Sequence, residues 1–240
     1  MTMATEIAAN VSRVREQMAE AAARSGRDSA SVRLVAVTKT FPAETLQAAY
    51  ECGLRDFGEN RVQEFQEKLR KLHAPGASFH LIGHLQSNKV CPAMAFDWIE
   101  TVDSERLARR LSQAASETGK SLSVLIEVKL GEEEAKTGVC EAGLSELVSS
   151  VAALPNLALR GLMGMPPWSD DPEESRPYFR RLRTLRDTIQ QAGFADLREL
   201  SMGMTRDFQI AIEEGATIVR VGTALFGPRS KKEQWIVNSG

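Results

Sequence analysis

Arg33-Leu34-Val35-Ala36-Val37-Thr38-Lys39-Thr40 is a short apolar run that ends on a polar triplet with a lysine at its centre. A run of this length, rich in β-branched residues and bounded by turn-forming ones, reads as a buried strand. Pro42 suits a turn or a helix start; Glu44 to Cys52 has helical spacing, and Gly53 stops it as a C-terminal glycine does. The same unit then recurs. Strands are expected at Leu54–Phe57, Ser78–Ile82, Trp98–Val102, Leu122–Leu130, Leu157–Met163, Glu199–Ser201 and Thr217–Val221. Helical patterns follow them: one reaching about Leu72, one after Lys89, one from Ser104 through Leu107 and Leu111, and one over Glu141–Ala153. A further helix has Phe179, Leu182, Leu185 and Ile189 on one face, and another spans Arg206–Glu214. Upstream of the opening strand, the first 26 residues form an amphipathic helix without the apolar core of a signal peptide. Eight strands alternating with helices favour a parallel sheet with right-handed crossovers. In 240 residues that favours the closed (β/α)8 TIM barrel over an open sheet, as one domain over 1–240 with an extra N-terminal helix.

Composition narrows the function. Hydrophobic residues are 42% and charged residues 26%, an ordinary globular balance, and the formal net charge of −2 supplies no field for nucleic acid or an anionic membrane. The arginines between Arg176 and Arg186 lie on an amphipathic helix and read first as a solvated face. No stretch reaches the ~20 apolar residues that cross a bilayer. Cys52, Cys91 and Cys140 are far apart and form no CxxC pair, as expected of reduced thiols in a cytoplasmic protein. His73, His80 and His84 lack zinc-type spacing, so no metal site is expected, and His80 reads as a satisfied core histidine.

Working residues of such barrels gather where strands end. Lys39 is placed there, and desolvation near the barrel interior would favour the neutral amine that attacks an aldehyde. A lysine reaching into water is the competing reading, and on Lys39 alone the stronger one. Ser201-Met202-Gly203-Met204-Thr205 and Gly222-Thr223 each set glycine and hydroxyl groups where a helix starts. Backbone N–H groups there bind phosphate, often after the last two strands of a barrel, although capping residues would look the same. Arg220, inside the last strand, needs either a ligand acceptor or a carboxylate such as Glu199 on the neighbouring strand.

Taken together, AVTKTFP (Ala36–Pro42), FGENRVQE (Phe57–Glu64), FHLIGHLQSNK (Phe79–Lys89), KTG (Lys136–Gly138), LRGLMGM (Leu159–Met165), LSMGMTRDF (Leu200–Phe208) and VRVGTALFG (Val219–Gly227) resemble the pyridoxal phosphate homeostasis protein family. These are single-domain relatives of the alanine racemase N-terminal barrel. Lys129 departs from the family, whose members often carry asparagine there. The resemblance implies that Lys39 holds pyridoxal phosphate (PLP) as a Schiff base. It further implies that Ser201, Gly222 and Thr223 bind the phosphate, that Arg220 faces the pyridine nitrogen, and that Asn60 and Ser87 line the pocket. An arginine at that nitrogen keeps it unprotonated and makes the ring a poor electron sink, which suits holding better than catalysis.

Two functions share that site: a carrier or buffer in vitamin B6 homeostasis, and a PLP-dependent amino-acid racemase of low activity. Racemization needs bases on both faces of its substrate. In the resembling racemases the opposing tyrosine comes from a second domain, which the dozen residues after Gly227 would not supply, and Tyr50 and Tyr178 fall in expected exterior helices. The carrier is therefore expected, a monomer or weak dimer, with apo-PLP enzymes as its partners. A barrel enzyme acting on a phosphorylated sugar accounts for the phosphate site alone. Lys136, Lys231 and Lys232 are candidates for a second PLP site, not separable here from solvated lysines.

Overall fold

The structure, a computed structural model, describes residues 2–131 and 137–228. Eight parallel strands pair in chain order and the last returns to the first, closing a barrel. They are β1 (Arg33–Val37), β2 (Asp56–Glu59), β3 (Ser78–Leu81), β4 (Trp98–Val102), β5 (Leu122–Val128), β6 (Leu157–Gly164), β7 (Glu199–Ser201) and β8 (Ile218–Val221). Among the described residues the α-helices are α1 (Met3–Arg24), α2 (Ala43–Glu51), α3 (Val62–Leu69), α4 (Val90–Ala93), α5 (Glu105–Glu117), α6 (Glu141–Ala152), α7 (Arg176–Gln191), α8 (Phe208–Glu213) and α9 (Thr223–Phe226). The (β/α)8 expectation holds, with α1 as the extra helix.

α1 is capped by Thr2, whose hydroxyl accepts from the Thr5 N–H. It buries Ile7, Val11, Val14, Met18 and Ala21, a stripe at helical spacing. That stripe lies against α2, α8 and α9, and Asn10 Nδ2 donates to the Leu225 carbonyl at 2.9 Å. The extra helix thereby covers the side of the barrel where β8 meets β1.

Strand alternation sorts side chains between two layers. On β1, Leu34 and Ala36 join the large apolar layer under the helices, while Val35 joins a small interior cluster with Leu125, Met163 and Ile218. That plug leaves much of the interior to polar groups. β2 begins two residues later than its expected Leu54 start, because Leu54 is buried in the turn that leaves α2, its N–H bonded to the Ala49 carbonyl at 3.2 Å. β5 stops at Val128, short of Leu130. The arginines of α7 are not simply solvated: Arg176, Arg180 and Arg183 converge on Glu214, and Arg176 also reaches Glu213. Among the described residues no helix is long and apolar enough to cross a membrane.

Candidate functional site

A column of polar side chains runs through the barrel. At the strand starts Arg33 Nε lies 3.6 Å from Asp56 Oδ1, and the Arg33 guanidinium sits over the Trp98 ring. His80 stacks on that ring at 5.2 Å, with its Nε2 3.3 Å from Asp56 Oδ1 and its Nδ1 2.6 Å from Glu100 Oε1. Glu100 Oε2 accepts from the Ser201 hydroxyl at 2.5 Å, and that hydroxyl accepts from Arg220 NH1 at 2.6 Å. Arg220 NH2 ends the column on the Gly164 carbonyl at 3.2 Å.

Burial works against every charge in this column. On His80 it is outweighed by the hydrogen bonds and charges of Asp56 and Glu100, so its pKa is raised and the imidazolium is favoured. On Glu100 burial is overcome by the hydrogen bond and charge of His80, then by Arg220 and Ser201, and the carboxyl is held low. Burial lowers the Arg220 pKa, while Glu100, Asp207 and Glu127 oppose it. A guanidinium nonetheless keeps its proton at neutral pH. The anion set against Arg220 is thus Glu100, not Glu199. Register explains the difference: Ser201 lies opposite Ile218, so Glu199 falls well below Arg220 along the strands. Glu199 instead accepts from the Thr217 hydroxyl at 2.5 Å.

At the mouth, β1 lies beside β8 with Val35 next to Arg220 and Ala36 next to Val221. The strand ends that carry Lys39 and Gly222-Thr223 are therefore neighbours. A Cβ on Gly222 would stand 3.4 Å from Val37. Lys39, half-buried, lies two residues past the end of β1. It occupies a corner of a tight turn closed by the Phe41 N–H on the Thr38 carbonyl at 3.0 Å. The other corner, Thr40, has a φ of +69°, a left-handed conformation that a β-branched residue rarely adopts.

Asn60, just past β2, has a buried Oδ1 with no hydrogen-bond partner, and the loop after β3 lies on its backbone. Only a glycine fits at Gly83 in that loop, since a Cβ would come within 2.4 Å of the Asn60 carbonyl oxygen. Gly222 and exposed Thr223 begin α9. Ser201 is fully buried, its hydroxyl turned to Glu100 and Arg220. Ser87 stands apart, on the wall of a cleft of about 350 Å³ shared with His84, Asp103, Arg106 and Thr137. Lys136, Lys231 and Lys232 lie outside the described residues.

Several residues emerge that sequence reasoning did not single out as site residues. The Thr205 hydroxyl accepts from the Gly222 N–H at 3.3 Å and the Ala224 N–H at 3.4 Å, long bonds that leave both donors weakly satisfied. Glu127, at the end of β5, accepts from Thr137 with one oxygen and has its other oxygen buried without a partner; burial raises its pKa. Behind the β1 end, Glu59, Glu64 and Lys68 form a cluster facing Thr38 and Thr40. The signals for these in the sequence were the family strings: FGENRVQE contains Glu59 and Glu64, and LSMGMTRDF contains Thr205, already read as a hydroxyl at a helix start.

Residues 6–230 match the family described as the alanine racemase N-terminal domain. The pyridoxal phosphate homeostasis protein of Aquifex aeolicus is 46% identical over 91% of this chain and 96% of its own length. Its namesake in Escherichia coli K12 is 41% identical over 95% and 99%. A solved structure of PipY from Synechococcus elongatus PCC7942 with PLP bound has a TM-score of 0.82 at 38% identity, covering 92% of this chain and all of that one. An alanine racemase of Clostridium difficile 630 shares the fold alone: TM-score 0.73, 12% identity, with 58% of that chain covered.

Proposed function

The chain belongs to the pyridoxal phosphate homeostasis proteins, within the alanine racemase N-terminal domain family, and from that premise we propose that it holds PLP on Lys39 as a carrier and buffer for vitamin B6. Bound PLP supplies an aldehyde carbon for a covalent bond, a phosphate, and a pyridine nitrogen. The residues present fit each of these. Lys39 is half-buried just past the end of β1, and its side-chain amine, once unprotonated, is the nucleophile that forms a Schiff base. The Gly222 and Ala224 N–H groups, held only by long bonds to Thr205, are donors available to phosphate oxygens, and the Thr223 hydroxyl adds a third. The orphaned Asn60 Oδ1 is an acceptor waiting at the mouth. Ser87, on the cleft wall with His84 and Thr137, falls outside this set of contacts.

The observation that carries the reading is Arg220. It is buried, charged, and fixed by Ser201 and Glu100 beneath the strand end that bears Lys39. A guanidinium has donors only, so a ring nitrogen facing it accepts a hydrogen bond and takes no proton. Without that proton the ring draws electrons poorly, and carbanion chemistry is held back. Ser201 serves here by aiming Arg220, and its place among the phosphate contacts passes to Thr205. We read the protein as non-catalytic: Tyr50 and Tyr178 lie on α2 and α7, and Tyr50 donates to the Pro75 carbonyl. On the same reading it works in the cytoplasm, where three unbridged cysteines are at home, delivers to apo-PLP enzymes, and is a monomer or weak dimer.

Borohydride reduction of the PLP-loaded protein should fix the cofactor on the peptide containing Lys39, and Lys39→Ala should show neither the adduct nor its absorbance. The same adduct in the variant would place the anchor elsewhere. Single L-amino acids incubated with the loaded protein should keep their chirality; efficient racemization of any of them would overturn the carrier reading.

A further inference from the structure

The turn that carries Lys39 does not hold its shape by itself. Thr40 at φ +69° has neither the glycine nor the asparagine that usually accepts this conformation, and its hydroxyl is buried without a partner. Such a conformation persists only where surrounding structure imposes it. The imposing groups come from α3 and the end of β2, on the outer side of the barrel wall. Glu64 accepts from the Thr40 N–H at 2.6 Å. Lys68, buried although a lysine, donates to the Thr38 carbonyl at 2.8 Å. That carbonyl also accepts the Phe41 N–H that closes the turn. The Thr38 hydroxyl donates to Glu59 Oε1 at 2.7 Å, and the Lys68 ammonium ties Glu59 and Glu64 together at 2.7 and 2.6 Å. Both neighbours of Lys39 in the chain are thus gripped from behind, by groups that do not belong to the mouth.

Two acidic groups and an ammonium, with Glu59 and Lys68 buried and Glu64 at the edge, are a costly way to stabilise a fold, since desolvation offsets much of the Coulombic gain. Its bonds go to one turn, the turn that displays the anchor. We propose that Glu59, Glu64 and Lys68 are positioning residues for Lys39, holding the strained Thr38–Phe41 turn so that Nζ meets the aldehyde of a phosphorylated ligand in reacting geometry. In that reaction Lys39 Nζ adds to the aldehyde carbon, the C=N bond forms, and one water leaves. The inference rests on the Schiff-base reading of Lys39 and goes beyond it by assigning the rate of that bond to residues that touch no ligand.

The test separates covalent capture from simple binding. PLP and 4′-deoxypyridoxine 5′-phosphate, which has the ring and phosphate but no aldehyde, are titrated against wild type, Glu64→Ala, Glu64→Gln and Lys68→Met, with stopped-flow absorbance following the bond to Lys39. Glu64→Ala is the leading variant, since Glu64 is half-exposed and its loss leaves the Glu59–Lys68 pair intact. Bond formation should slow roughly tenfold or more, as expected when a reacting group loses its alignment. Affinity for the aldehyde-free analogue should stay within about twofold, the range of an ordinary surface change. Glu64→Gln, whose amide oxygen still accepts from Thr40, should recover most of the rate, and Lys68→Met should be slower than Glu64→Ala. Wild-type rates in Glu64→Ala, or equal weakening of both ligands, would overturn the inference. No adduct on Lys39 in the wild type would overturn the cofactor reading and this inference with it.

Discussion

The interior column and the barrel mouth use the same kinds of side chain and treat them in opposite ways. In the column each polar group has a partner: Asp56 and Glu100 bracket His80, and Ser201 joins Glu100 to Arg220. At the mouth Thr40 Oγ1, Asn60 Oδ1 and Glu127 Oε2 are buried without partners, as is Glu59 Oε2 behind the β1 end, and Thr40 is strained. Buried polar atoms are nearly always satisfied in a native fold, so unsatisfied ones in a group point to something that arrives later. The contrast separates what holds the barrel together from what the barrel holds.

That contrast predicts stability losses in the column and binding losses at the mouth. Glu100→Gln has the largest expected effect, because it leaves His80 and Arg220 as buried cations without their shared anion. It should cost about 3–5 kcal/mol in urea unfolding, and an unchanged midpoint would break the contrast. Ser201→Ala removes a hydroxyl with two buried bonds and should cost about 1–3 kcal/mol. Cofactor affinity should fall with it as Arg220 loses its aim.

The column should also shape the pH profile of stability. His80 has a raised pKa in the folded protein, so its contribution is complete below the ordinary imidazole value of 6.5 and is lost as pH rises through the folded value. Glu100 has a lowered pKa, so its contribution is present above its ordinary 4.5 and lost as pH falls through the folded value. Unfolding free energy measured against pH should decline on the alkaline side in wild type and flatten there in His80→Asn; an identical decline in both would detach His80 from the network. The smallest expected change in stability sharpens the contrast most. Asn60→Ala deletes an acceptor that has no partner, so stability should move by no more than about 0.5 kcal/mol while PLP dissociates more readily.

The fold was largely readable because each strand presents an apolar run and each run is followed by helical spacing. β1, β4 and β7 begin and end where the runs do. The proposed anchor, Arg220 and the terminal glycine stood out by their position at strand ends and in the family strings. The column was not. His80 and Glu100 face inward on β3 and β4, and a charge in a strand says nothing of its partner until closure sets Ser201 of β7 across from it. Arg220 shows the limit well: the demand for a carboxylate was visible, but the identity of Glu100 depends on barrel geometry and not on the neighbouring strand. The Glu59–Glu64–Lys68 cluster stayed hidden for a related reason. Glu64 and Lys68 stand at the spacing of an ordinary exposed helix pair, and only the packing of α3 against the β1 end buries Lys68.

The seam between β1 and β8 joins the first strand of the chain to the last. Every other strand pairs with a neighbour in sequence, but this pairing joins segments nearly the whole chain apart. The proposed anchor stands on one side of the seam, and the proposed phosphate donors with Arg220 stand on the other. A nascent or partly opened barrel therefore has Lys39 but no pocket around it. Capture of the cofactor then reports that the ring is closed, and occupancy in turn makes that joint harder to open.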